Sequence, residues 1–197
     1  MLYVVGDSNS VYTSEFLISP DIDTSMCRIG WTTEEVLRAV KRKKSMEDAS
    51  AFFVFVGLND SLTGEGIAAN ILQIVAVLRA KRPSARVPIF LAPPFCVVAA
   101  SPSTICTHRR DAARRILREL GEDVLGTHVV LAHVTKDMYV KKAAQITKPG
   151  SSKLDPLHLS RAGYMAVATV VNQELVLHSQ YTRRPHKPKI IYEAGPK

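Results

Sequence analysis

The sequence predicts an α/β protein with a mostly parallel sheet that helices cover on both faces. Short apolar runs alternate with segments of helical periodicity, and this alternation is typical of parallel sheets. The chain has 197 residues, of which 46% are hydrophobic, so it can bury one full core. No apolar stretch reaches the roughly 18 residues that a membrane-spanning helix needs. We therefore expect a single globular domain.

Five short runs are the candidate strands. Most are rich in Val, Ile, Leu or Phe, as expected for strands that are buried on both faces. They cover residues 2–5, 25–29, 52–56, 87–92 and 128–133. The predicted sheet therefore has five strands.

Two helices are predicted between these strands. Residues 33–44 place Val36, Leu37 and Val40 on one side and end in four basic residues, which complement the helix dipole. The second helix is expected to pack on the sheet through one apolar stripe. This stripe consists of Ile67, Ile71, Ile74, Val75 and Leu78.

Two further helices are predicted in the second half of the chain. Residues 108–120 place Arg110, Arg114 and Arg118 on one line, which we interpret as a solvated face. The last helix, from Ser160 onward, is apolar nearly all round and is therefore expected to be buried. It would hold the loop that precedes it against the sheet.

A serine follows the first predicted strand. The sequence Gly6-Asp7-Ser8-Asn9 comes directly after the apolar residues 2–5. A hydroxyl at the end of a buried strand is held rigidly at the edge of the sheet, where α/β enzymes keep a nucleophile. Serine is a poor nucleophile at its own pKa, so it needs a base, an orienting acid and donors for an oxyanion.

The candidate base is His158, in the run Asp-Pro-Leu-His that starts at Asp155. Residues three apart on a helix-like turn lie on the same side, so Asp155 can reach one imidazole nitrogen and leave the other for Ser8. We expect Pro156 to stiffen this turn. The pattern predicts that Ser8, His158 and Asp155 work together.

Two motifs between the serine and the histidine offer donors for an oxyanion. Gly30 lies in an Ile-Gly-Trp-Thr run, and Asn59 lies in a Gly-Leu-Asn-Asp run after the predicted strand at 52–56. A glycine lets its backbone N–H approach a substrate closely, and an asparagine side chain offers a neutral N–H donor. Both residue types suit a developing negative charge.

In order and spacing, these four motifs resemble the SGNH, or GDSL, hydrolases. The motifs are Gly-Asp-Ser at Ser8, Gly-x-Thr at Gly30, Gly-x-Asn-Asp at Asn59 and Asp-x-x-His at His158. The resemblance spans nearly the whole chain and implies a three-layer α/β/α fold of the flavodoxin-like type. It also implies ester hydrolysis without a cofactor, with Ser8, Asp155 and His158 as the catalytic triad. The oxyanion hole would consist of the Ser8 and Gly30 amides and the Asn59 side chain.

Each motif also has a plainer interpretation. The Ser8 motif alone is typical of a strand-to-loop turn, and Gly57 and Asn59 could merely shape another turn. His158 could be only a neighbour of Ser160, which is a good N-cap for the last helix. The four motifs in the family's order favour the hydrolase over these alternatives.

The substrate is less well defined by the sequence. We expect Asn9, Trp31, Leu58 and Phe95 to bound the substrate site. No long lid or large apolar insertion is evident, so a small acyl group, with acetyl first, is the preferred substrate. The cysteines and histidines lack metal-ligand spacing, and no metal or other cofactor is expected.

The composition changes near the C-terminus. Residues 181–197 contain three prolines and five Lys or Arg against one Glu, which accounts for +4 of the net charge of +8. We predict a hydrolase-like domain at 1–178 and a basic arm at 179–197 outside the fold. The arm suits an acidic partner or a neighbouring subunit. It lacks the interleaved arginine and aromatic residues of single-strand binders, since Tyr181 and Tyr192 are its only tyrosines and it has no Phe or Trp, so sequence-specific nucleic-acid binding is not expected.

Two further expectations concern location and a rival function. No basic n-region or cleavage site follows Met1, so we expect a cytoplasmic or intracellular protein. The odd cysteine count predicts free thiols, which fits a reducing compartment. The rival function is a structural or docking module of a larger assembly, such as a viral or mobile-element particle. An intact triad would argue against a purely structural role.

Overall fold

The computed structural model covers most of the predicted elements. It describes residues 1–83, 87–94, 104–120, 127–130, 139–143 and 152–183. At some of these positions it describes the backbone alone, namely 104–106, 139–143, 152–157 and 180–183. The predicted substrate contact at Phe95 lies outside the described residues, as does Cys96.

Five parallel strands form the central sheet, as the sequence predicts. They are β1 (Leu2–Gly6), β2 (Ile22–Cys27), β3 (Ala51–Phe55), β4 (Ile89–Ala92) and β5 (Thr127–Val129). Their order is β2-β1-β3-β4-β5, and every neighbouring pair is parallel. The sheet therefore has the predicted number of strands, and they run parallel as predicted.

The strand boundaries differ most from the prediction at β2 and β5. β2 begins three residues earlier than the predicted start at 25, since Leu2 pairs with Ile22. This strand lies at the edge of the sheet and exposes part of its surface, so it lacks the apolar run that marks the central strands. β5 is described only to Val129, and residues 131–133 of the predicted fifth strand lie outside the described residues.

The described residues include five helices, which lie in two layers around the sheet. They are α1 (Ser8–Ser14), α2 (Thr33–Arg42), α3 (Gly64–Lys81), α4 (Thr104–Leu120) and α5 (Arg161–Arg183). α2, α3 and α4 share one apolar cluster with Phe52 and Val54, whereas α1 and α5 share the other with Phe53 and Phe55. Successive residues of a strand point to opposite faces, so β3 contributes to both clusters. This arrangement confirms the three-layer α/β/α fold.

A small antiparallel pair of strands, which the sequence did not predict, precedes α5. It consists of β6 (Tyr139–Ala143) and β7 (Ser152–Leu159). Lys141 lies opposite Leu154 and Tyr139 opposite Leu159, so two steps along β6 match five steps along β7. The segment from Asp155 to His158 is therefore a bulged strand, in which a proline is tolerated. The prediction of a helix-like turn at this segment is wrong.

The strand order fixes where a site can form. The crossovers from β1 and β3 leave the sheet in opposite directions, because β1 lies between β2 and β3. In open parallel sheets, ligands bind at such a switch point, outside the carboxyl ends of the strands. Ser8 follows β1 and Asn59 follows β3, so both lie at this switch point.

The last helix differs from its prediction in two ways. α5 buries Tyr164, Val167 and Val171 on the sheet but exposes Val176 and Leu177, so it is not buried all round. It continues to Arg183, five residues past the predicted domain boundary at 178, and residues 184–197 lie outside the described part of the chain. No helix in the described ranges is long and apolar enough to cross a membrane.

Candidate active site

Ser8 is the first residue of α1 and directly follows the β1 strand. β1 ends at Gly6, where φ is +154° and where an added Cβ would overlap the Phe55 carbonyl group. Only glycine permits this close approach. Asp7 then caps α1 by accepting a hydrogen bond of 2.9 Å from the Asn9 amide. This turn, residues 6–9, is called the serine loop below.

The Ser8 side chain is buried, with only 1% of the residue exposed. Its Oγ atom makes no hydrogen bond with any described residue. Ser8 and His158 are therefore not hydrogen-bonded to each other in this structure. A buried hydroxyl without a partner is unusual in proteins, and it often marks a functional group.

The Asp7 carboxyl group connects the serine loop to residues 57–60, the asparagine loop. Its Oδ2 atom accepts hydrogen bonds from the Gly57 amide at 3.1 Å and the Leu58 amide at 2.9 Å. Complete burial raises the pKa of Asp7 to about 6, although the three backbone hydrogen bonds act to lower it. A nearby carboxyl group, Asp60, adds to the rise. The two loops are thus joined through one buried acid.

The Asn59 side chain links the asparagine loop to the turn that contains Gly30. Its Nδ2 atom donates to the Trp31 carbonyl group at 3.0 Å. One N–H of this amide is used in that bond, and the group carries a second. Gly30 is exposed and has φ +87°, and among the described residues no atom beyond its two chain neighbours lies within 4 Å of the position that a Cβ would occupy. The space beside Gly30 is therefore open to a substrate.

The start of α2 holds the Gly30 turn in place. Thr32 caps this helix and forms a capping box with Glu35. The adjacent Thr33 donates to Asp60 from its amide and, at 2.5 Å, from its hydroxyl. Burial raises the pKa of Asp60, and the hydrogen bonds from Thr33 oppose that rise. Thr33, which directly follows the Gly-x-Thr motif, and the Asp of the Gly-x-Asn-Asp motif therefore join the two loops.

His158 lies at the end of β7 and forms one wall of a cleft of about 500 Å³. The other walls come from α1 and the start of α5. The cleft is lined by Tyr12, Glu15, Phe16, His158, Leu159, Arg161 and Tyr164. The imidazole is half-buried. The Asp155 side chain lies outside the described part of the structure, so its role as the orienting acid stays a prediction.

A hydrogen bond joins the serine loop to the segment that follows His158. The Tyr164 hydroxyl donates to Asn9 Oδ1 at 3.0 Å, and the Tyr164 ring packs against Tyr12 with ring centroids 5.4 Å apart. Asn9 is 5% exposed, and this bond holds its side chain in the fold. The structure therefore brings the neighbour of Ser8 next to the helix that His158 precedes.

The remaining predicted substrate contacts have different surroundings. Leu58 is only 3% exposed, so its side chain is packed inside the protein. Trp31 is half-buried and packs against the apolar cluster under α2 and α3. Of these two, Trp31 is the side chain with surface left for a ligand.

No sequence motif marks Arg109, which reaches the asparagine loop from α4. It is 2% exposed and donates a hydrogen bond to the Leu58 carbonyl group. The arginine line that we interpreted as a solvated face begins one residue later, at Arg110. A helical wheel would indicate that Arg109 is buried, because Arg109 lies on the same face of α4 as the buried residues Ala112 and Ile116.

A serine hydroxyl, an asparagine amide and an open glycine backbone lie on linked loops at the switch point of the sheet. Such groups suit attack on a carbonyl carbon and stabilisation of the resulting oxyanion. Within the described residues, no group of three or more His, Cys, Asp or Glu side chains could hold a metal ion.

Comparisons with known proteins found similarity in structure but not in sequence. No protein-family model matches this chain, and no curated protein matches it. A GDSL-like lipase from Bacteroides thetaiotaomicron has a TM-score of 0.63 at 13% identity, over 89% of this chain and 87% of that one. A lipolytic protein of the G-D-S-L family from Veillonella parvula has a TM-score of 0.62 at 10% identity, over 89% and 97%.

A third match is a serine-to-alanine mutant of an acetyl esterase with an acetate ion. Its TM-score is 0.60 at 13% identity, over 91% of this chain and 98% of that one. These likenesses show that the chain has the fold of the GDSL hydrolases. The resemblance drawn from the four sequence motifs is thus confirmed at the level of the fold.

Proposed function

We propose that this protein is a serine esterase that hydrolyses a small acyl ester, with Ser8 as the nucleophile. The observation that carries this proposal is the hydrogen-bonded connection among three motif-bearing loops. Asp7 binds the asparagine loop, and Asn59 binds the Gly30 turn. A serine, a glycine and an asparagine linked in this way at a switch point are what an oxyanion hole requires.

The proposed reaction follows from the chemistry of these groups. His158 takes the proton from Ser8 Oγ, which attacks the carbonyl carbon of the ester. The negative charge on the carbonyl oxygen is held by the Ser8 and Gly30 amides and the Asn59 side chain. The intermediate then expels the alcohol, which receives the proton from His158. Water releases the acyl group from Ser8 by the same steps, while Asp155 keeps the imidazole in the required tautomer.

For the acyl group we propose acetyl. One structural neighbour is an acetyl esterase with an acetate ion, although others are lipases or lipolytic proteins. The sequence contains no long lid or large apolar insertion that would shelter a long chain. A small acyl group is therefore the better match to this chain.

Labelling with a fluorophosphonate probe tests the proposed nucleophile, because only an activated serine reacts readily. The wild-type protein should be labelled at Ser8 and should hydrolyse p-nitrophenyl acetate. Ser8→Ala and His158→Ala should each lower kcat by at least about a thousandfold. Ser14→Ala is the matched control, because this serine belongs to the same helix but lies at its far end. Equal rates for wild type and Ser8→Ala would exclude the proposal.

Asn59→Ala tests the proposed oxyanion hole separately. Removing one donor should lower kcat about a hundredfold to a thousandfold while KM changes little. A change confined to KM would instead make Asn59 a residue that binds the substrate in its ground state.

A further inference from the structure

Arg109 is a large, buried and charged side chain for which the proposed reaction has no use. It lies on α4, on the same face as the buried residues Ala112 and Ile116, with 2% of its surface exposed. Burying a guanidinium group is costly unless hydrogen bonds and opposite charges compensate for lost hydration. The buried guanidinium group of Arg109 is therefore a strong hydrogen-bond donor that is held at one point in the fold.

That point is the peptide that leads into Asn59. Arg109 donates from Nη2 to the Leu58 carbonyl group. The amide of the same residue donates to Asp7 Oδ2 at 2.9 Å. Leu58 is thus bound by a buried carboxyl group at its N–H and by a buried guanidinium group at its C=O. Hydrogen bonds on both sides fix the orientation of this stretch of backbone, from which the Asn59 side chain projects.

Arg109 also acts on the second anchor of the asparagine loop. Burial raises the pKa of Asp60, Thr33 lowers it through two hydrogen bonds, Glu34 raises it, and the charge of Arg109 lowers it. The ionised form of Asp60 is the better acceptor for the amide and hydroxyl of Thr33. Arg109 therefore favours the contact between the asparagine loop and the start of α2.

We propose that Arg109 is a positioning residue of the oxyanion hole. By binding the Leu58 carbonyl group it sets where the Asn59 amide points, and it does so from a helix outside the four motifs. The inference rests on the proposed roles of Ser8 and Asn59. A preorganised donor stabilises the transition state only at the correct distance, so a displaced Asn59 should lower kcat more than it changes KM.

The test compares Arg109→Met and Arg109→Lys with a control on the same helix. Arg114→Ala is that control, because the Arg114 side chain is 75% exposed. With p-nitrophenyl acetate, Arg109→Met should lower kcat about tenfold to a hundredfold and leave KM within about twofold. Arg109→Lys keeps the charge but has a compact ammonium group, so it should recover part of the loss. Arg114→Ala should match the wild type.

A second measurement does not depend on catalysis. Amide hydrogen exchange at Gly57 and Leu58, followed by NMR, should become faster in Arg109→Met while exchange in β1 and β3 stays slow. If the wild type neither reacts with the fluorophosphonate nor cleaves the ester, the proposed function fails, and exchange alone decides whether Arg109 holds the loop. If Arg109→Met does not fold, Arg109→Lys is measured in its place. Unchanged exchange at 57–60, or wild-type kcat in a folded variant, would overturn the proposal.

Discussion

At the scale of single residues, the Asp7 carboxyl group connects the serine loop to the asparagine loop. It accepts three backbone hydrogen bonds while completely buried, and burial raises its pKa to about 6. Such an acid binds its proton more tightly in the folded chain than in the unfolded chain, where its pKa is 3.8. Its contribution to the free energy of unfolding is therefore complete below about pH 4 and is lost as the pH rises through about 6.

Replacing Asp7 by Asn should remove this dependence on pH. The unfolding free energy of the wild type minus that of Asp7→Asn should decrease by on the order of 2 to 3 kcal/mol between pH 4 and pH 7, and should then level off. Urea unfolding of both proteins across this range measures the difference. Asp111→Asn replaces an exposed carboxyl group and serves as the control. A difference that grows with pH would mean that burial does not control this acid.

At the scale of helices and strands, Gly64 sets the distance between two helices. It is the first residue of α3, and an added Cβ would lie 2.5 Å from the His108 carbonyl oxygen and 2.7 Å from Asp111 Cβ on α4. Both distances are shorter than side chains tolerate. The absence of a side chain at this glycine therefore lets α4 approach closely enough for Arg109 to reach the asparagine loop.

Gly64→Ala should consequently lower the free energy of unfolding by about 1 to 3 kcal/mol through overpacking. Gly66→Ala is the matched control in the same helical turn, where the nearest atom to an added Cβ is Leu62 Cβ at 3.2 Å. Alanine favours a helix over glycine by about 1 kcal/mol, which offsets this milder contact. Urea unfolding should show a marked loss for Gly64→Ala alone. Similar losses in both variants would show that helix packing is not the cause.

The elements also show which parts of the fold can be predicted from the sequence. The central strands and the apolar stripe of α3 can be predicted locally, because the strands are apolar on both faces and the stripe faces one core throughout. β2 was misplaced by three residues, since an edge strand carries no continuous apolar run. The bulge at Asp155 to His158 depends on pairing with β6, which local sequence does not reveal.

The candidate site likewise contains residues that local sequence predicts and residues that depend on tertiary packing. Motifs point to Ser8, Gly30 and Asn59 as candidates, because these residues follow strands that the sequence marks. Arg109 was overlooked, because a charged residue on an amphipathic helix is usually solvated and only tertiary packing determines its burial. Asn9 was expected at the substrate site, but its hydrogen bond with Tyr164, 155 residues away, depends on tertiary packing in the same way.

At the scale of the whole molecule, the positive charge is concentrated toward the C-terminus. The chain carries +8, and residues 184–197 contain four Lys or Arg against one Glu. α5 is described as helical to Arg183. We propose that the residues beyond this helix serve association with an acidic partner rather than catalysis. In that case one chain could have both esterase activity and a docking role in a larger assembly.

Truncation after Arg183 tests this assignment and leaves α5 intact. The kcat on p-nitrophenyl acetate should stay within about twofold, and Tm should change little, since a basic segment that contains three prolines is expected to bury little apolar area. Retention on an anionic resin should fall, and added salt should reduce the retention of the full chain, because exposed charges are screened within about 8 Å at physiological ionic strength. Unfolding of the truncated protein would instead assign the segment to the core.

The position of α5 after the sheet in the chain has a consequence for how the protein is made. The apolar surface of β1 and β3 that faces α5 includes Val4, Phe53 and Phe55, and α5 is the last described element of the chain. During synthesis the ribosome releases α5 only after the sheet, so a nascent chain displays this bare surface for several seconds at the usual rate of about 5–20 residues per second. Chaperones that bind exposed apolar strands should therefore hold ribosome-bound chains that end before residue 161 and release those that have emerged past α5.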